Sequence, residues 1–144
     1  MIWYVDSSVL LAILLGEDGS GRLRELWAAA DHRVSSILLE VESLVVLRRT
    51  HAEAARRLGS SWLRERERAR STLLQEVNLL NVDEGTLGTL SAHRELCRCR
   101  ALDAIHLATA TELRDEGFGA EIAIATLDEP MRRIARKLKF RIVP

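Results

Sequence analysis

The sequence contains little cysteine and no long apolar run. Cys97 and Cys99 are the two cysteines among 144 residues, too few for a disulfide framework, and their one-residue gap suits an internal bridge poorly. A zinc site at this pair would need further soft ligands, and only His93 and His106 lie nearby. No apolar stretch approaches the roughly 20 residues that span a bilayer, and the N-terminus has neither a basic lead nor a secretory cleavage pattern. We therefore expect a cytoplasmic protein without a membrane association.

Lysine, aromatic residues and the common catalytic motifs are also scarce or missing. Only Lys137 and Lys139 are lysines, so arginine supplies nearly all the positive charge, and arginine suits bidentate phosphate contacts. The formal net charge is +0, so composition alone does not indicate a nucleic-acid-binding protein. The sequence has no phosphate loop, nucleophile elbow or dinucleotide-binding glycine fingerprint. Enzymes that depend on those motifs are not indicated.

Short apolar runs alternate with amphipathic segments along the chain. The runs predict strands at residues 2–5, 77–82, 121–126 and 140–143, and a further short strand is expected at 33–35. The amphipathic segments predict helices at residues 9–15, 22–30, 36–49, two within 52–70 that divide at 59–61, 84–96, 101–115 and 128–137. The stop signal of the penultimate helix is Glu116, Gly117, Phe118 and Gly119. This alternation predicts an α/β fold with a mostly parallel sheet, formed by one domain over residues 1–144.

Asp6 and Asp128 each come just after the carboxyl end of a predicted strand. Ligands of open α/β sheets bind outside those strand ends, so two acids there can meet in space. Each aspartate could instead only cap the helix that follows it. Because Ser7 and Ser8 follow Asp6 and could cap equally well, capping alone is the weaker explanation for the pair. The two acids are the first indication of a functional site at this edge of the sheet.

The helix predicted to begin at Ser36 carries two further acids, Glu40 and Glu42. Every neighbour of Glu42 three or four positions away is apolar, whereas the neighbours of Glu40 include Ser36 and Ser43. A carboxylate among apolar neighbours is costly to leave unpaired. We therefore predict that Glu42 has a partner, for which a metal ion is a natural choice, and that Glu40 lies near solvent.

Asp103 lies in the first turn of the helix predicted for residues 101–115. Complementarity with the helix dipole would account for an acid at this position, but the flanking residues are small and apolar, which indicates a packed helix. His106 follows one turn later. A histidine on such an apolar face is more typical of a hydrogen-bonded core residue than of a metal ligand or a base.

Carboxylates that converge on one pocket repel one another, and a divalent cation relieves that repulsion. Ligands that are all oxygens suit Mg²⁺ or Mn²⁺ rather than zinc. Such ions activate a water for phosphodiester hydrolysis, so no side-chain nucleophile is required. This chemistry agrees with the absence of nucleophile motifs from the sequence.

Four acid-bearing segments resemble the PIN-domain nucleases, and in particular the VapC-type toxins of bacterial toxin–antitoxin pairs. The segments are WYVDSS at 3–8, SILLEVE at 36–42, LDAIHLA at 102–108 and TLD at 126–128, followed by a closing strand, KFRIVP, at 139–144. Their order and spacing also match the family. The resemblance assigns the catalytic and metal-ligating roles to Asp6, Glu42, Asp103 and Asp128, with Ser7 and Thr126 in support, and its register selects Glu42 over Glu40.

The resemblance further implies a flavodoxin-like α/β/α sandwich and cleavage of RNA that depends on Mg²⁺ or Mn²⁺. It implies inhibition by a small cognate antitoxin and assembly as a homodimer. Contacts to RNA phosphates would need cations outside the metal cluster, and the candidates are Arg48, Arg49, Arg98 and Arg100, although an ordinary solvated surface explains them equally well. Because aromatic residues make up only 4% of the chain, base stacking is not expected to dominate recognition.

Three other functions fit parts of the pattern. An aspartyl-nucleophile phosphatase usually has a second aspartate two residues after the first, where this chain has Ser8. A phospho-receiver domain expects paired acids after the first strand and a late lysine in the sheet, and neither is evident. A non-catalytic PIN-like scaffold that only binds partners is the third alternative, and the intact set of acids argues against it.

Overall fold

The computed structural model describes residues 1–117 and 121–144. In these ranges one sheet contains five strands: β1 (Ile2–Val5), β2 (His32–Ser36), β3 (Asn78–Leu80), β4 (Ile122–Ala125) and β5 (Arg141–Val143). The strand order is β3-β2-β1-β4-β5, and every neighbouring pair is parallel. From β1 the chain adds β2 and β3 on one side of the sheet, and then β4 and β5 on the other side. The topological switch point therefore lies between β1 and β4.

Helices connect the strands and cover both faces of the sheet. The helices described are α1 (Ser7–Leu15), α2 (Ser20–Ala29), α3 (Leu38–Leu58), α4 (Trp62–Leu74), α5 (Glu84–Ala92), α6 (Ala101–Asp115) and α7 (Glu129–Lys137), with a short 3-10 helix at Arg94–Arg98. None of the described helices combines the length and the apolarity needed to cross a membrane.

Two buried cores lie on opposite faces of the sheet. Successive residues of a strand point to opposite faces, and in β1 Tyr4 packs into the core beneath α6 and α7, while Trp3 and Val5 pack into the core beneath α1 and α3. Because helices cover both faces, a central strand such as β4 (Ile122–Ala125) is buried along its whole length. The predicted α/β/α sandwich with a parallel central sheet is therefore confirmed.

Several element boundaries differ from the predictions, among them those of α3 and α5. Ser36 is the last residue of β2, so α3 begins at Leu38 rather than at Ser36, and α3 then continues through a kink at Ala54 to Leu58 instead of ending near residue 49. The helix predicted for 84–96 ends at Ala92, and the 3-10 helix that follows turns Leu96 fully into the core.

The predicted stop of the penultimate helix is only partly described. Helix α6 ends at Asp115, and Gly117 has a left-handed φ of 77°, which glycine adopts without steric penalty. Phe118 and Gly119, the other half of that stop signal, lie outside the described residues.

Candidate metal centre

Asp6 stands at the switch point, immediately after β1. Its backbone N–H donates to the carbonyl of Ala125 at 2.9 Å, which fixes the residue beside the end of β4. The side chain is buried, and its Oδ2 atom accepts hydrogen bonds from the Ser8 backbone N–H (3.2 Å), the Ser8 hydroxyl and the Thr126 hydroxyl (2.8 Å). No donor within the described parts of the chain reaches Oδ1. One oxygen of Asp6 is thus held by the protein, and the other is left for an external ligand.

Two hydroxyl groups join the ends of β1 and β4. Thr126 donates to Asp6 and accepts from the backbone N–H of Asp128 at 3.1 Å. Ser8 likewise donates to Asp6 and accepts from the backbone N–H of Leu127 at 2.9 Å. Each hydroxyl therefore holds the Asp6 carboxylate by donating its proton. Each also holds the loop that carries Asp128, because its oxygen accepts a backbone N–H of that loop.

Asp128 is the N-cap of α7. Its Oδ1 atom accepts from the backbone N–H of Met131 at 2.7 Å, and the cap precedes a proline in the first turn. Asp6 also caps its helix, through the Ser8 N–H. The capping interpretation of both residues is thus correct, but it uses only one oxygen of each carboxylate. Capping therefore leaves the other oxygen of each group available for a second role.

Glu42 projects from the second turn of α3, and both of its oxygens have protein partners. Oε1 accepts from Nε2 of His106 at 2.7 Å, and Oε2 accepts from the Ser7 hydroxyl at 3.2 Å. The sequence predicted a partner for this carboxylate and suggested a metal ion, whereas the partners that the structure shows are a histidine and a serine. Glu40 lies near solvent as predicted, with its side chain 49% exposed and 3.9 Å from Arg70.

Asp103 lies in the first turn of α6, close enough to the other three acids for their charges to act on it. Burial raises the pKa of Asp103, and the charges of Asp128, Asp6 and Glu42 raise it further, while Arg100 partly offsets them. No hydrogen-bond donor within residues 1–117 and 121–144 reaches this carboxylate. Asp103 is therefore a side chain surrounded by like charge without a fixed partner.

The structure brings the four predicted acids into one electrostatic neighbourhood. Nowhere in the described ranges do three or more histidine, cysteine, aspartate or glutamate side chains stand close enough together to hold a metal ion. The donor set nevertheless suits a hard cation, because it consists of carboxylates, three of which keep at least one oxygen that no donor in the described residues reaches. A divalent ion would also remove the repulsion that raises the pKa of Asp103. The residues therefore fit Mg²⁺ or Mn²⁺ by chemistry and location, although their side chains stand apart.

Four residues that contribute to this site were not among the predicted site residues. Ser8 holds Asp6 and the loop after β4, and His106, Tyr4 and Ser36 form a buried chain of hydrogen bonds behind Glu42. The place of His106 on an apolar helix face predicted a hydrogen-bonded core histidine. The structure agrees, since His106 is hydrogen-bonded and has no exposed surface. The partners of His106 lie 64, 70 and 102 positions away, and local patterns do not identify them.

The predicted arginines occupy two regions. Arg100 precedes α6 and lies close enough to Asp103 to lower its pKa, and Arg98 lines a cavity of about 410 Å³ between the 3-10 helix and α7. Arg48 is exposed on α3 and pairs with Glu67 at 2.9 Å, and Arg49 is exposed beside it.

Cys97 and Cys99 are free thiols, and burial together with Asp103 and Asp128 raises the pKa of Cys99 to about 11.

A parallel sheet with acids gathered at its switch point is the architecture of a PIN domain, and the PIN domain family profile matches residues 3–137. The chain belongs to this family. It is similar to Ribonuclease VapC46 of Mycobacterium tuberculosis, with 33% identity over 141 residues that cover 97% of this chain and 95% of the relative.

Two solved structures share the fold at lower identity. One is VapBC2 from Rickettsia felis bound to a DNA fragment from their promoter, with a TM-score of 0.67, 13% identity and coverage of 99% of this chain and 98% of that chain. The other is a toxin–antitoxin complex from Klebsiella pneumoniae, with a TM-score of 0.60, 20% identity and coverage of 89% and 87%. These likenesses establish the fold.

Proposed function

We propose that this protein is a divalent-metal-dependent endoribonuclease that acts as the toxin of a type II toxin–antitoxin pair. The observations that support the proposal are that the Thr126 hydroxyl links Asp6 to the backbone of Asp128, that Glu42 bonds Ser7 beside Asp6, and that the charges of these three acids raise the pKa of Asp103. The identity of 33% to a ribonuclease over almost the whole chain supports the same activity here.

The four acids would hold Mg²⁺ or Mn²⁺, and the chain supplies the groups that orient them. When bound, such an ion supplies Lewis acidity that polarises a phosphodiester and activates a water for its hydrolysis. Ser8 and Thr126 hold Oδ2 of Asp6 and leave Oδ1 to the cation. Ser7 holds one oxygen of Glu42. The protein therefore fixes ligand orientation before the cation arrives, which lowers the entropy lost on binding.

Arginines beside the acids are the proposed contacts to the RNA backbone. Arg100 adjoins Asp103, and the cavity lined by Arg98 also carries Arg133, Arg136 and Lys137, with no acidic residue in its lining. Cations of this kind would contact the phosphates of an RNA strand bound at the acids. Arg48 is already paired with Glu67, so together with Arg49 it is the less favoured of the two predicted regions.

The proposal includes a small antitoxin and a homodimer as protein partners. Both structural neighbours come from toxin–antitoxin complexes, which supports the antitoxin. An apolar stripe on the start of α3 also supports a protein partner, because Ile37, Val41 and Val45 follow one another at four-residue spacing and are 38%, 54% and 46% exposed.

Cleavage of RNA by the purified chain tests the activity. We expect cleavage with Mn²⁺ or Mg²⁺, none with EDTA, and none for Asp6→Asn, which keeps the helix cap but loses a charged ligand. Asp83→Asn is the matched control, because Asp83 caps α5 by the same kind of bond (2.9 Å to the Gly85 N–H) and is not one of the four acids. An Asp6→Asn variant that cut at the wild-type rate with Mg²⁺ would contradict the site. A wild-type chain that never cuts would favour the non-catalytic scaffold.

The partners are tested separately from the chemistry. Light scattering after gel filtration should give twice the chain mass of 16.2 kDa, whereas the chain mass itself would exclude the homodimer. A small protein encoded next to this chain should bind it and stop cleavage. Sequencing of RNA ends after brief expression, with Asp6→Asn as the control, identifies the target.

A further inference from the structure

Behind the acid cluster lies a buried chain of hydrogen bonds that ends on Glu42. His106 has no exposed surface, and its Nε2 atom lies 2.7 Å from Oε1 of Glu42. On the other side of the ring, Nδ1 lies 3.2 Å from the hydroxyl of Tyr4 and 3.2 Å from that of Ser36. The four side chains come from α3, α6, β1 and β2, so the sheet contributes two members and a helix on each face contributes one.

The donors and acceptors of this chain fix the tautomer of the histidine. The backbone N–H of Ser36 donates to the hydroxyl oxygen of Tyr4 at 3.0 Å, so the Tyr4 proton is free to point at Nδ1. An ionised carboxylate only accepts, so the proton between His106 and Glu42 sits on Nε2. When the imidazole is neutral it has one N–H, so Nδ1 is then the acceptor for the Tyr4 proton. Burial raises the pKa of Tyr4, in agreement with a hydroxyl that keeps its proton.

We propose that His106 is a positioning residue that holds Glu42 in the orientation in which it binds the divalent cation. The inference rests on the proposed metal-dependent function and adds the group that prepares one ligand. The Glu42 side chain is 20% exposed, and of the donors in the described residues only Ser7, at 3.2 Å, would still restrain it without His106. The bond from His106 uses one lone pair of Oε1 and leaves the others for a cation.

The size of the effect follows from the behaviour of groups that orient metal ligands in other proteins. Removal of such a group weakens metal affinity or activity by about 10- to 100-fold. We therefore expect His106→Leu, which removes the donor and keeps an apolar core side chain, to raise the Kd for Mn²⁺ by about 10- to 100-fold. His106→Gln places an amide N–H near the position of Nε2 and should return the Kd to within about threefold of the wild type.

Calorimetric titration of the folded full-length variants with Mn²⁺ alone is the test. Thr111→Val is the matched control, because it also removes a buried hydrogen-bonding group of α6. The Thr111 hydroxyl donates to the Leu107 carbonyl at 2.8 Å and does not contact Glu42, so the Kd of this variant for Mn²⁺ should equal the wild-type value. In cleavage assays, His106→Leu should need more Mn²⁺ for half-maximal rate but recover most of the wild-type rate at saturation. A merely structural role would lower the folded fraction and leave the Kd per folded molecule unchanged.

Several results separate this inference from the proposed function. A wild-type chain that takes up no Mn²⁺ would refute the metal-dependent function and the inference with it. Two results would overturn the inference alone when the wild type does bind Mn²⁺. One is a Kd for folded His106→Leu that equals the wild-type value, and the other is a Kd for His106→Gln as high as that of His106→Leu. Nitrogen-15 NMR of the wild-type imidazole gives a result that does not depend on the folding of any variant. We expect a proton on Nε2 and none on Nδ1, and a protonated Nδ1 would overturn the assignment.

Discussion

Replacement of Thr126 by valine isolates the contribution of one buried hydroxyl to the acid cluster. Valine keeps the branched shape of the side chain, which is fully buried, and removes two hydrogen bonds: the 2.8 Å bond to Oδ2 of Asp6 and the 3.1 Å bond from the N–H of Asp128. A hydrogen bond to a charged group contributes about 1.5–3 kcal/mol and a neutral one about 0.5–1.5 kcal/mol. We therefore expect Thr126→Val to lower the free energy of unfolding of the metal-free protein by about 2–4 kcal/mol.

Ser8→Ala provides the matched comparison. The Ser8 hydroxyl makes the same two kinds of bond, to Asp6 and from the N–H of Leu127, but Ser8 is only partly buried and Leu127 is exposed. Water can replace the lost partners there, so the expected loss is about 1 kcal/mol. Thr126→Ser retains the hydroxyl and should fall closest to the wild type.

Urea unfolding in EDTA, followed by the fluorescence of the buried Trp3 and Trp27, measures these differences at constant m-value. Cleavage assays with Mn²⁺ should rank the variants in the same order, because Thr126 and Ser8 orient the same oxygen of Asp6. A loss below about 0.5 kcal/mol for Thr126→Val, or a loss no larger than that of Ser8→Ala, would show that the hydroxyl bridge does not organise this edge of the sheet.

Three further predictions concern charged side chains. Asp103→Asn should abolish cleavage yet stabilise the metal-free protein near neutral pH. Because folding raises the pKa of Asp103 above its ordinary 3.8, the folded chain binds more protons than the unfolded chain, and wild-type stability in EDTA falls as the pH rises from 3.8 to the raised pKa. Urea unfolding at a series of pH values should show this slope for the wild type and not for the variant. Glu42→Gln should reduce cleavage by at least about tenfold and Glu40→Gln by less than about twofold, and the reverse order would exchange their roles. Arg70→Met removes buried bonds from α4 to the Ser43 hydroxyl and the Glu40 carbonyl, so it should cost about 1–3 kcal/mol in urea unfolding while cleavage per folded molecule stays unchanged.

The sequence predicted the layered fold because its local patterns and its topology agree. The central strands β1 and β4 are short apolar runs, and the helices that connect the strands have caps and stops that the residue types reveal, such as Asp83 and Asp128 at N-caps. A parallel sheet then places the carboxyl ends of its strands at one edge, so Asp6 and Asp128 were expected to meet there. The positions of Asp6 and Asp128 depend on which strand each residue follows, and the order of the strands can be predicted from the sequence.

The partners of Glu42 could not be predicted in the same way. His106 is 64 positions away and Ser7 is 35, and both reach Glu42 only because α1, α3 and α6 pack around the end of the sheet. The apolar neighbours of Glu42 on its helix correctly indicated that it needs a partner, but they contain no information about that partner's identity. Likewise, α3 continues past residue 49, where the local pattern predicted its end, and packs against α4; it ends at the Gly59 cap, within the division predicted at 59–61.

The four acids differ in how far the protein restrains them, and this difference suggests how the site is organised. Donors hold one oxygen of Asp6, one of Asp128 and both of Glu42, whereas none in the described residues reaches Asp103. Consecutive helical residues point about 100° apart, so Ser7 and Ser8 in the first turn of α1 can serve two acids from different elements. Three ligands would thus be set before a cation binds, and the fourth, Asp103, would close on it and release the repulsion that raises its pKa.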